Sequence, residues 1–212
     1  MKVARLVYGN DAPNFSANSY VICNDDSKCV VVDPSANNTR LVKFLKQNNL
    51  IPVAVLLTHG HFDHIWGLPI LLDKYQIPVY IHDLDKELLV NPRDNCSWFE
   101  NKQLSLEIEV ESVVDGEHLH LLNNIDIEVI HTPFHTEGSV CYYLKDNKTL
   151  FSGDTLFKMS IGREDLPTSC PRYRNTSLAK LRKLPDDVKV YPGHGDITVL
   201  GKEKELNTLF QN

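Results

Sequence analysis

Cysteine is scarce in this sequence, and its spacing offers no covalent or metal-bound framework. Five cysteines occur among 212 residues, the number is odd, and no two are spaced as CxxC. This pattern favours neither a disulfide scaffold nor a cysteine-rich zinc ribbon. Cys141 lies in the apolar run Val140–Leu144, so we expect it to be a small buried hydrophobic residue.

The sequence also lacks an excess of positive charge and any long apolar run. Its net charge is −6, with 42% hydrophobic and 24% charged residues, which is ordinary for a globular protein. An acidic chain is a poor candidate for binding nucleic acid through a broad basic surface. No apolar run approaches the length of a membrane span, and Met1–Leu6 carries no signal-peptide pattern. We therefore expect a cytoplasmic protein that binds neither nucleic acid nor a membrane. The sequence predicts no oligomeric state.

Low-complexity segments, internal repeats and flexible linkers are absent as well, which favours a single domain over residues 1–212. Apolar runs predict strands in two groups, one up to Ile81 and one from Val113 onward, each with helices that can cover one face. Two packed sheets with helices outside satisfy this order of elements. Thr39 is a plausible cap for the first helix. The predicted helices span 39–48, 64–75, 83–89, 177–184 and 202–210.

A dense group of metal-binding side chains follows the apolar run Val53–Leu57, which predicts a buried strand. Residues 58–64 read THGHFDH. Imidazole and carboxylate together are the ligands that zinc, iron and manganese bind. A polar turn that happens to be rich in histidine is the less favoured interpretation. The candidate ligands in this segment are His59, His61, Asp63 and His64.

Three more candidate ligands, His135, Asp154 and His194, each lie in a Gly- or Pro-containing turn just after an apolar run. Loops at strand ends are where a rigid scaffold presents functional residues. Taken singly, each has an ordinary explanation as a turn cap or an exposed loop residue. Together with the histidine-rich segment, the repeated order of strand, turn and ligand favours metal binding.

Five motifs stand out in the sequence, and the last four contain the candidate ligands: Val32-Asp33, THGHFDH at 58–64, TPFHTEGS at 132–139, FSGDTLF at 151–157 and YPGHGD at 191–196. Together they resemble the metallo-β-lactamase superfamily and occur in that family's order. The resemblance implies an α/β fold, a four-layer αββα sandwich of two mixed β-sheets packed face to face with helices outside. HxHxDH with SGDTLF and YPGHG is most similar to glyoxalase II-like proteins, the hydroxyacylglutathione hydrolases, and SIGREDLP at 160–167 resembles a short bacterial subgroup of them.

The resemblance implies two metal sites that share one carboxylate. Asp154 would bridge the two ions together with a water or hydroxide, and Asp33 would hold a ligand-bearing loop by hydrogen bonds. Two divalent ions are expected, with zinc favoured and iron or manganese as alternatives. The first site would consist of His59, His61 and His135, and the second of Asp63, His64 and His194.

A serine-hydrolase interpretation has no support, because no G-x-S-x-G occurs. We expect instead a metal-dependent hydrolase, a thioesterase of the hydroxyacylglutathione hydrolase type, acting on a small thioester or ester. A metal-bridging hydroxide would attack the carbonyl, with Asp63 orienting it. Arg163 is a candidate for binding a substrate carboxylate, and an ion pair with Glu164 or Asp165 is an equally good explanation of it.

The resemblance leaves the substrate open. Glyoxalase II has a C-terminal helical domain that helps to bind glutathione, whereas about eighteen residues follow His194 here, and the family's glutathione-contacting Tyr is missing. A persulfide dioxygenase, which uses one iron and shares the Gly-Arg-x-Asp stretch, is an alternative. A lactonase, a β-lactamase, a nuclease and a metal-binding protein without activity are further alternatives.

Overall fold

The computed structural model describes residues 1–8 and 16–211, which form two six-stranded sheets and a two-stranded ribbon. The first sheet contains, in spatial order, β1 (Lys2–Leu6), β2 (Ser19–Cys23), β3 (Lys28–Val32), β4 (Ile51–Leu56), β5 (Val79–His82) and β6 (Glu111–Val113). The second contains β7 (His118–Leu122), β8 (Ile125–His131), β9 (Val140–Leu144), β10 (Thr149–Gly153), β13 (Lys189–Pro192) and β14 (Thr198–Val199), in the spatial order β14-β13-β10-β9-β8-β7. The ribbon pairs β11 (Leu156–Phe157) with β12 (Ser160–Ile161).

Both sheets are mixed. In the first, β1, β2 and β3 pair antiparallel and β3 to β6 pair parallel. In the second, β10 and β13 pair parallel and the other neighbours antiparallel. Because strand side chains alternate between faces, Tyr20 and Val32 of the first sheet can pack against Val129 and Tyr142 of the second. The predicted two-sheet packing is therefore confirmed.

Helices cover the outer faces of both sheets. Leu41 and Leu45 of the first helix pack on one outer face, and Leu178 and Leu181 pack on the other. No helix within the described residues is both long enough and apolar enough to cross a membrane. The helices are α1 (Arg40–Gln47), α2 (Phe62–Ile65), α3 (Leu68–Leu72), α4 (Lys86–Val90), α5 (Arg174–Arg182), α6 (Leu200–Leu206) and α7 (Thr208–Gln211), with 3₁₀ turns at Asp83–Asp85, Ser97–Glu100, Lys145–Asn147 and Pro171–Tyr173.

Two predicted helices are in fact broken. The segment 64–75 forms α2 and α3, separated at Gly67, whose N–H donates to the carbonyl of Pro34 at 2.6 Å. A Cβ at Gly67 would lie 2.6 Å from that same oxygen, so only glycine allows this approach. The segment 202–210 divides into α6 and α7 at Asn207, which has an extended backbone.

The predicted cap of α1 is also wrong in its chemistry. Thr39 occupies the position before the helix, but its side chain makes no capping hydrogen bond. Asn38 Oδ1 instead accepts the N–H of Arg40 at 2.9 Å. A short side chain one residue earlier thus satisfies an N–H that the helix leaves open.

Strand direction brings the candidate ligands to one edge of the second sheet. Since β8 and β10 are both antiparallel to β9, and β10 is parallel to β13, the carboxyl ends of these three strands lie together. His135, Asp154 and His194 follow those ends. The histidine-rich segment follows β4 of the first sheet and meets them there, since His61 and His135 are in contact.

Candidate metal centre

A first group of ligands forms from the loops after β4 and β8. His59, His61 and His135 are almost completely buried, and their ring nitrogens lie within 4.8 Å of one another. Nδ1 of His61 is 3.0 Å from Nε2 of His135. The structure therefore brings together the three residues predicted for the first metal site, although they are far apart in the sequence.

A second group lies beside the first. Asp63 and His64 occupy the short helix α2, and His194 follows β13. Oδ2 of Asp63 is 3.1 Å from Nε2 of His194 and 3.8 Å from Nε2 of His64. These are the three residues predicted for the second metal site, and their ligand atoms also lie within 4.8 Å of one another.

Asp154 lies between the two groups. Its Oδ1 is 3.3 Å from Nε2 of His64, and its Oδ2 is 3.4 Å from Nε2 of His135 and 3.6 Å from Nε2 of His194. One carboxylate oxygen therefore faces the second group and the other faces both. A bridging ligand requires this position.

The polar atoms at this point fit a metal ion. Nε2 of His59, His61 and His64 and Oδ1 of Asp154 are buried and have no hydrogen-bond partner within the described part of the chain. A buried polar atom left unpaired costs about 1–3 kcal/mol, and native structures hold few of them. Three of these residues, His59, His64 and Asp154, bring their ligand atoms within 4.8 Å of one another. All three are residue types that ligate zinc, iron or manganese, so a cation would satisfy them.

The protonation of the first group suits metal binding. Burial, reinforced by neighbouring histidines, lowers the pKa of His59 well below its usual value and lowers the pKa of His61 to about 3. Burial also lowers the pKa of His135. These imidazoles are therefore neutral at pH 7, and a histidine must be neutral to ligate a metal.

His64 differs because carboxylates surround it. Burial lowers its pKa, but the charges of Asp154, Asp33 and Asp63 outweigh burial, and the pKa lies well above the usual value. Without a metal, the second group therefore places a positive charge among carboxylates. A divalent ion would supply that charge instead, and metal binding there would release a proton.

Asp33 and Thr58 hold the histidine-rich segment from behind. Asp33 Oδ1 accepts the N–H of Thr58 at 2.8 Å, and its Oδ2 accepts the Thr58 hydroxyl at 2.7 Å. Oδ2 also lies 2.9 Å from Nδ1 of His64. This bond fixes the ring and directs Nε2 toward the centre. Asp33 is thus placed to hold a ligand-bearing loop, as the resemblance implied.

Asp85 is a supporting residue that the sequence did not reveal. It is fully buried, and its carboxylate accepts the N–H of Gly60 at 3.0 Å, the N–H of Gly138 at 2.7 Å and the hydroxyl of Thr136 at 2.7 Å. It therefore ties the loop of His59 to the loop of His135. In the sequence, Asp85 is only an acidic residue near the start of a helix. Such residues are common on protein surfaces, so the sequence gives no sign of its supporting role.

The carbonyl of Arg163 is a second unforeseen support. It lies 2.8 Å from Nδ1 of His135, which sets the orientation of that ring. Gly162 makes the approach possible, because a Cβ there would lie 1.9 Å from the carbonyl oxygen of Asp154. The guanidinium of Arg163 takes no part in this contact with His135. It donates to both carboxylate oxygens of Asp165, at 2.6 and 2.9 Å.

The centre opens into a cavity of about 640 Å³. His61, Asp63 and His194 lie at its floor together with His135 and Asp154. Such a volume is typical of a site for a small molecule. The ligand groups are therefore accessible to a substrate. In contrast, His82 and His131 stack on one another with ring centroids 4.0 Å apart and belong to neither ligand group.

Comparison with known proteins places this centre in a family. The sequence model of the metallo-beta-lactamase superfamily matches residues 12–194. The probable metallo-hydrolase YqgX of Bacillus subtilis is 35% identical over 192 residues, covering 90% of each chain. The chain therefore belongs to the metallo-beta-lactamase superfamily, and the predicted four-layer fold is that of the family.

Solved structures and a named enzyme extend the comparison. The BLEG-1 B3 metallo-beta-lactamase superposes with a TM-score of 0.92 at 33% identity over 100% of both chains. TTHA1623, in a di-iron-bound form, superposes with a TM-score of 0.85 at 32% identity, covering 98% of this chain and 99% of that one. The hydroxyacylglutathione hydrolase GloC of Haemophilus influenzae is 28% identical over 195 residues, covering 91% of this chain and 92% of its own.

Proposed function

We propose that this protein is a dinuclear metal-dependent hydrolase that cleaves thioesters by the chemistry of the hydroxyacylglutathione hydrolases. The observation that carries the proposal is the pair of ligand groups sharing Asp154 at the floor of an open cavity. The similarity to GloC, which is named a hydroxyacylglutathione hydrolase, supports this class of reaction.

The residues of the centre have distinct roles in this proposal. His59, His61 and His135 would hold one ion, Asp63, His64 and His194 would hold the other, and Asp154 would serve both. When bound, two divalent ions would lower the pKa of a water to about 7 and polarise a carbonyl oxygen.

Asp63 is the residue that we assign to the reacting water. Its carboxylate lines the cavity and is only partly buried, so it can accept a hydrogen bond from a water and orient it toward a bound carbonyl. The leaving thiolate requires no general acid, because a thiol has a pKa of about 8.5. A thioester therefore suits this centre, because its leaving group needs no proton from a residue of the cavity.

The metal that we propose is zinc. Histidine and carboxylate ligands also suit iron and manganese, and the di-iron form of TTHA1623 makes iron the first alternative. A persulfide dioxygenase with one iron is the rival function. The complete second ligand group of Asp63, His64 and His194 favours two ions and hydrolysis.

The proposed partner is a small thioester or ester, with neither nucleic acid nor membrane involved. The five cysteines are all free and buried, and free thiols are typical of reducing compartments. We therefore propose a cytoplasmic location.

The test is thioester hydrolysis by zinc-loaded protein. S-lactoylglutathione, followed by loss of its ultraviolet absorbance, and acetyl N-acetylcysteamine, followed by thiol release, are offered in parallel with oxygen uptake recorded. Hydrolysis of at least one without oxygen consumption supports the proposal, and hydrolysis of neither contradicts it.

Variants of the ligands connect activity to metal. The Asp154→Ala and His61→Ala variants are expected to lose bound metal and activity while keeping their circular dichroism spectrum. His120→Ala is the matched control, because His120 is 74% exposed and lies outside both groups. Full activity in an Asp154→Ala protein holding less than one metal per chain would refute the assignment.

A further inference from the structure

The wall of the cavity beside the candidate centre is apolar. Phe157 of β11 and Ile161 of β12 form one side, and Phe99 of the 3₁₀ turn Ser97–Glu100 and Leu166 add to the lining. The ring of Phe157 lies edge-on to His194, with centroids 5.9 Å apart. The apolar surface therefore begins at the ligand groups themselves and extends outward to Phe99, which is 56% exposed.

Beyond the ligand groups, the charged side chains that line this cavity do not favour an anionic group of a substrate. Arg163 is the one lysine or arginine that lines it among the described residues, and residues 9–15, outside that part, contain neither type. Both carboxylate oxygens of Asp165 engage the Arg163 guanidinium. Glu100 also lines the cavity and has no ion-pair partner in residues 1–8 and 16–211. A substrate carboxylate would therefore meet a neutralised arginine and a free glutamate.

A large exposed aromatic side chain at the mouth of a cavity has a use when the ligand is apolar. Phe99 gains burial only when something covers it, and burying apolar area is favourable in proportion to that area. The charged groups of a ligand would gain nothing from Phe99, Ile161 or Leu166 and would lose hydration on entering. The apolar wall therefore favours binding of apolar groups, and the unpaired carboxylate of Glu100 disfavours binding of an anionic group.

We infer that the cavity selects uncharged thioesters with an apolar acyl group, in preference to thioesters of glutathione. The inference rests on the proposed thioester hydrolysis and specifies its substrate class. Glutathione carries two carboxylates and one ammonium group, whereas the selected thioester carries no charge on either side of the scissile bond. Water adds to the thioester carbonyl, the carbon–sulfur bond breaks, and the products are a carboxylic acid and a neutral thiol.

The experiment compares substrates that differ in one property at a time. Phenylacetyl N-acetylcysteamine and phenylacetyl glutathione share the acyl group and differ in the charge of the thiol, and acetyl N-acetylcysteamine lacks the apolar ring. Thiol release by the zinc-loaded protein gives kcat/KM for each. We expect the neutral phenylacetyl thioester to exceed each of the other two by about tenfold, the usual scale of discrimination in an apolar pocket.

Variants test the wall and the charge separately. Phe99→Ala should lower kcat/KM for phenylacetyl N-acetylcysteamine by about fivefold to tenfold relative to kcat/KM for the acetyl thioester, because only the phenylacetyl ring covers Phe99. Asp165→Asn, which frees Arg163, should raise kcat/KM for phenylacetyl glutathione relative to the neutral thioester. Val114→Ala is the control, because Val114 is also 56% exposed and does not line the cavity; it should change neither ratio.

The outcomes separate this inference from the function on which it rests. Equal or faster hydrolysis of phenylacetyl glutathione would overturn the inference and leave thioester hydrolysis standing. Equal values for the acetyl and phenylacetyl thioesters of N-acetylcysteamine would overturn the role of the apolar wall. Hydrolysis of none of the three, together with no hydrolysis of S-lactoylglutathione, would refute the proposed function and, with it, the inference.

Discussion

Gly162 controls how closely two parts of the candidate centre approach, so replacing it by alanine tests the geometry directly. The added Cβ would lie 1.9 Å from the backbone oxygen of Asp154 and 3.2 Å from Nδ1 of His135. The first contact is with backbone, which cannot rotate away. The segment carrying Arg163 must therefore move outward by more than 1 Å to restore an ordinary contact, roughly 3.3 Å for C–H···O.

That movement has two expected costs. Crowding of a packed site destabilises by about 1–3 kcal/mol, which corresponds to a decrease in Tm of about 2–12 °C for a chain of this size. The displaced carbonyl of Arg163 also loses its 2.8 Å contact with His135. Loss of such an orienting bond costs about 10–100-fold in metal affinity.

The assay is competition for zinc with a chromogenic chelator, together with thermal unfolding of the metal-free protein. Gly116→Ala is the control, because Gly116 has φ +77° but a Cβ there meets nothing within 4 Å. It should cost stability through backbone strain, about 1–3 kcal/mol, without changing zinc affinity. If Gly162→Ala binds zinc within twofold of the wild type, the reasoning about this contact is wrong.

Two further predictions concern stability. Burial raises the pKa of Asp85 from 3.8 to about 6, and a raised folded-state pKa means stability that is present at low pH and lost as pH rises through that value. We therefore expect metal-free wild type to lose about 2 kcal/mol of unfolding free energy relative to Asp85→Asn between pH 4.5 and pH 7. Urea titration of both proteins measures this difference. A difference that does not change with pH would contradict the prediction. Leu178 is fully buried, so Leu178→Ala should lower the free energy of unfolding by about 2–5 kcal/mol. Leu206 is 53% exposed, so Leu206→Ala should change it by no more than about 0.5 kcal/mol. Equal losses in the two variants would contradict the packing of Leu178.

The strands and the ligand groups were predictable because their signals are local. β9 coincides with the apolar run Val140–Leu144, and β4 overlaps the apolar run Val53–Leu57. Each candidate ligand directly follows such a run. The pattern of strand, turn and ligand therefore predicted the two-sheet fold, whereas the composition of the metal centre and the substrate stay predictions.

What the sequence did not reveal depends on contacts between distant segments. Asp85 is 25 residues from Gly60 and 53 from Gly138, and nothing in its own neighbourhood signals those partners. The break at Gly67 is set by a backbone contact with Pro34. The ribbon of Leu156–Phe157 with Ser160–Ile161 has two residues in each strand, too few for any periodicity.

Arg163 shows the same limit. The sequence allowed either a substrate carboxylate or an acidic neighbour as its partner. The structure pairs it with Asp165, while Glu164 contacts Arg174 at 3.1 Å. The adjacent residues Glu164 and Asp165 thus bind different arginines. Only the path of the folded chain decides which of the two contacts the guanidinium of Arg163.

The candidate centre takes its ligands from both halves of the sandwich: His59 to His64 follow β4 of the first sheet, while His135, Asp154 and His194 follow strands of the second. An ion held by both would therefore join the two halves, in addition to their apolar packing and to the hydrogen bonds of Asp85. At a free metal concentration a thousand times its Kd, each such ion adds about 4 kcal/mol to the free energy of unfolding. Metal supply would then govern how long the protein survives as well as how fast it reacts.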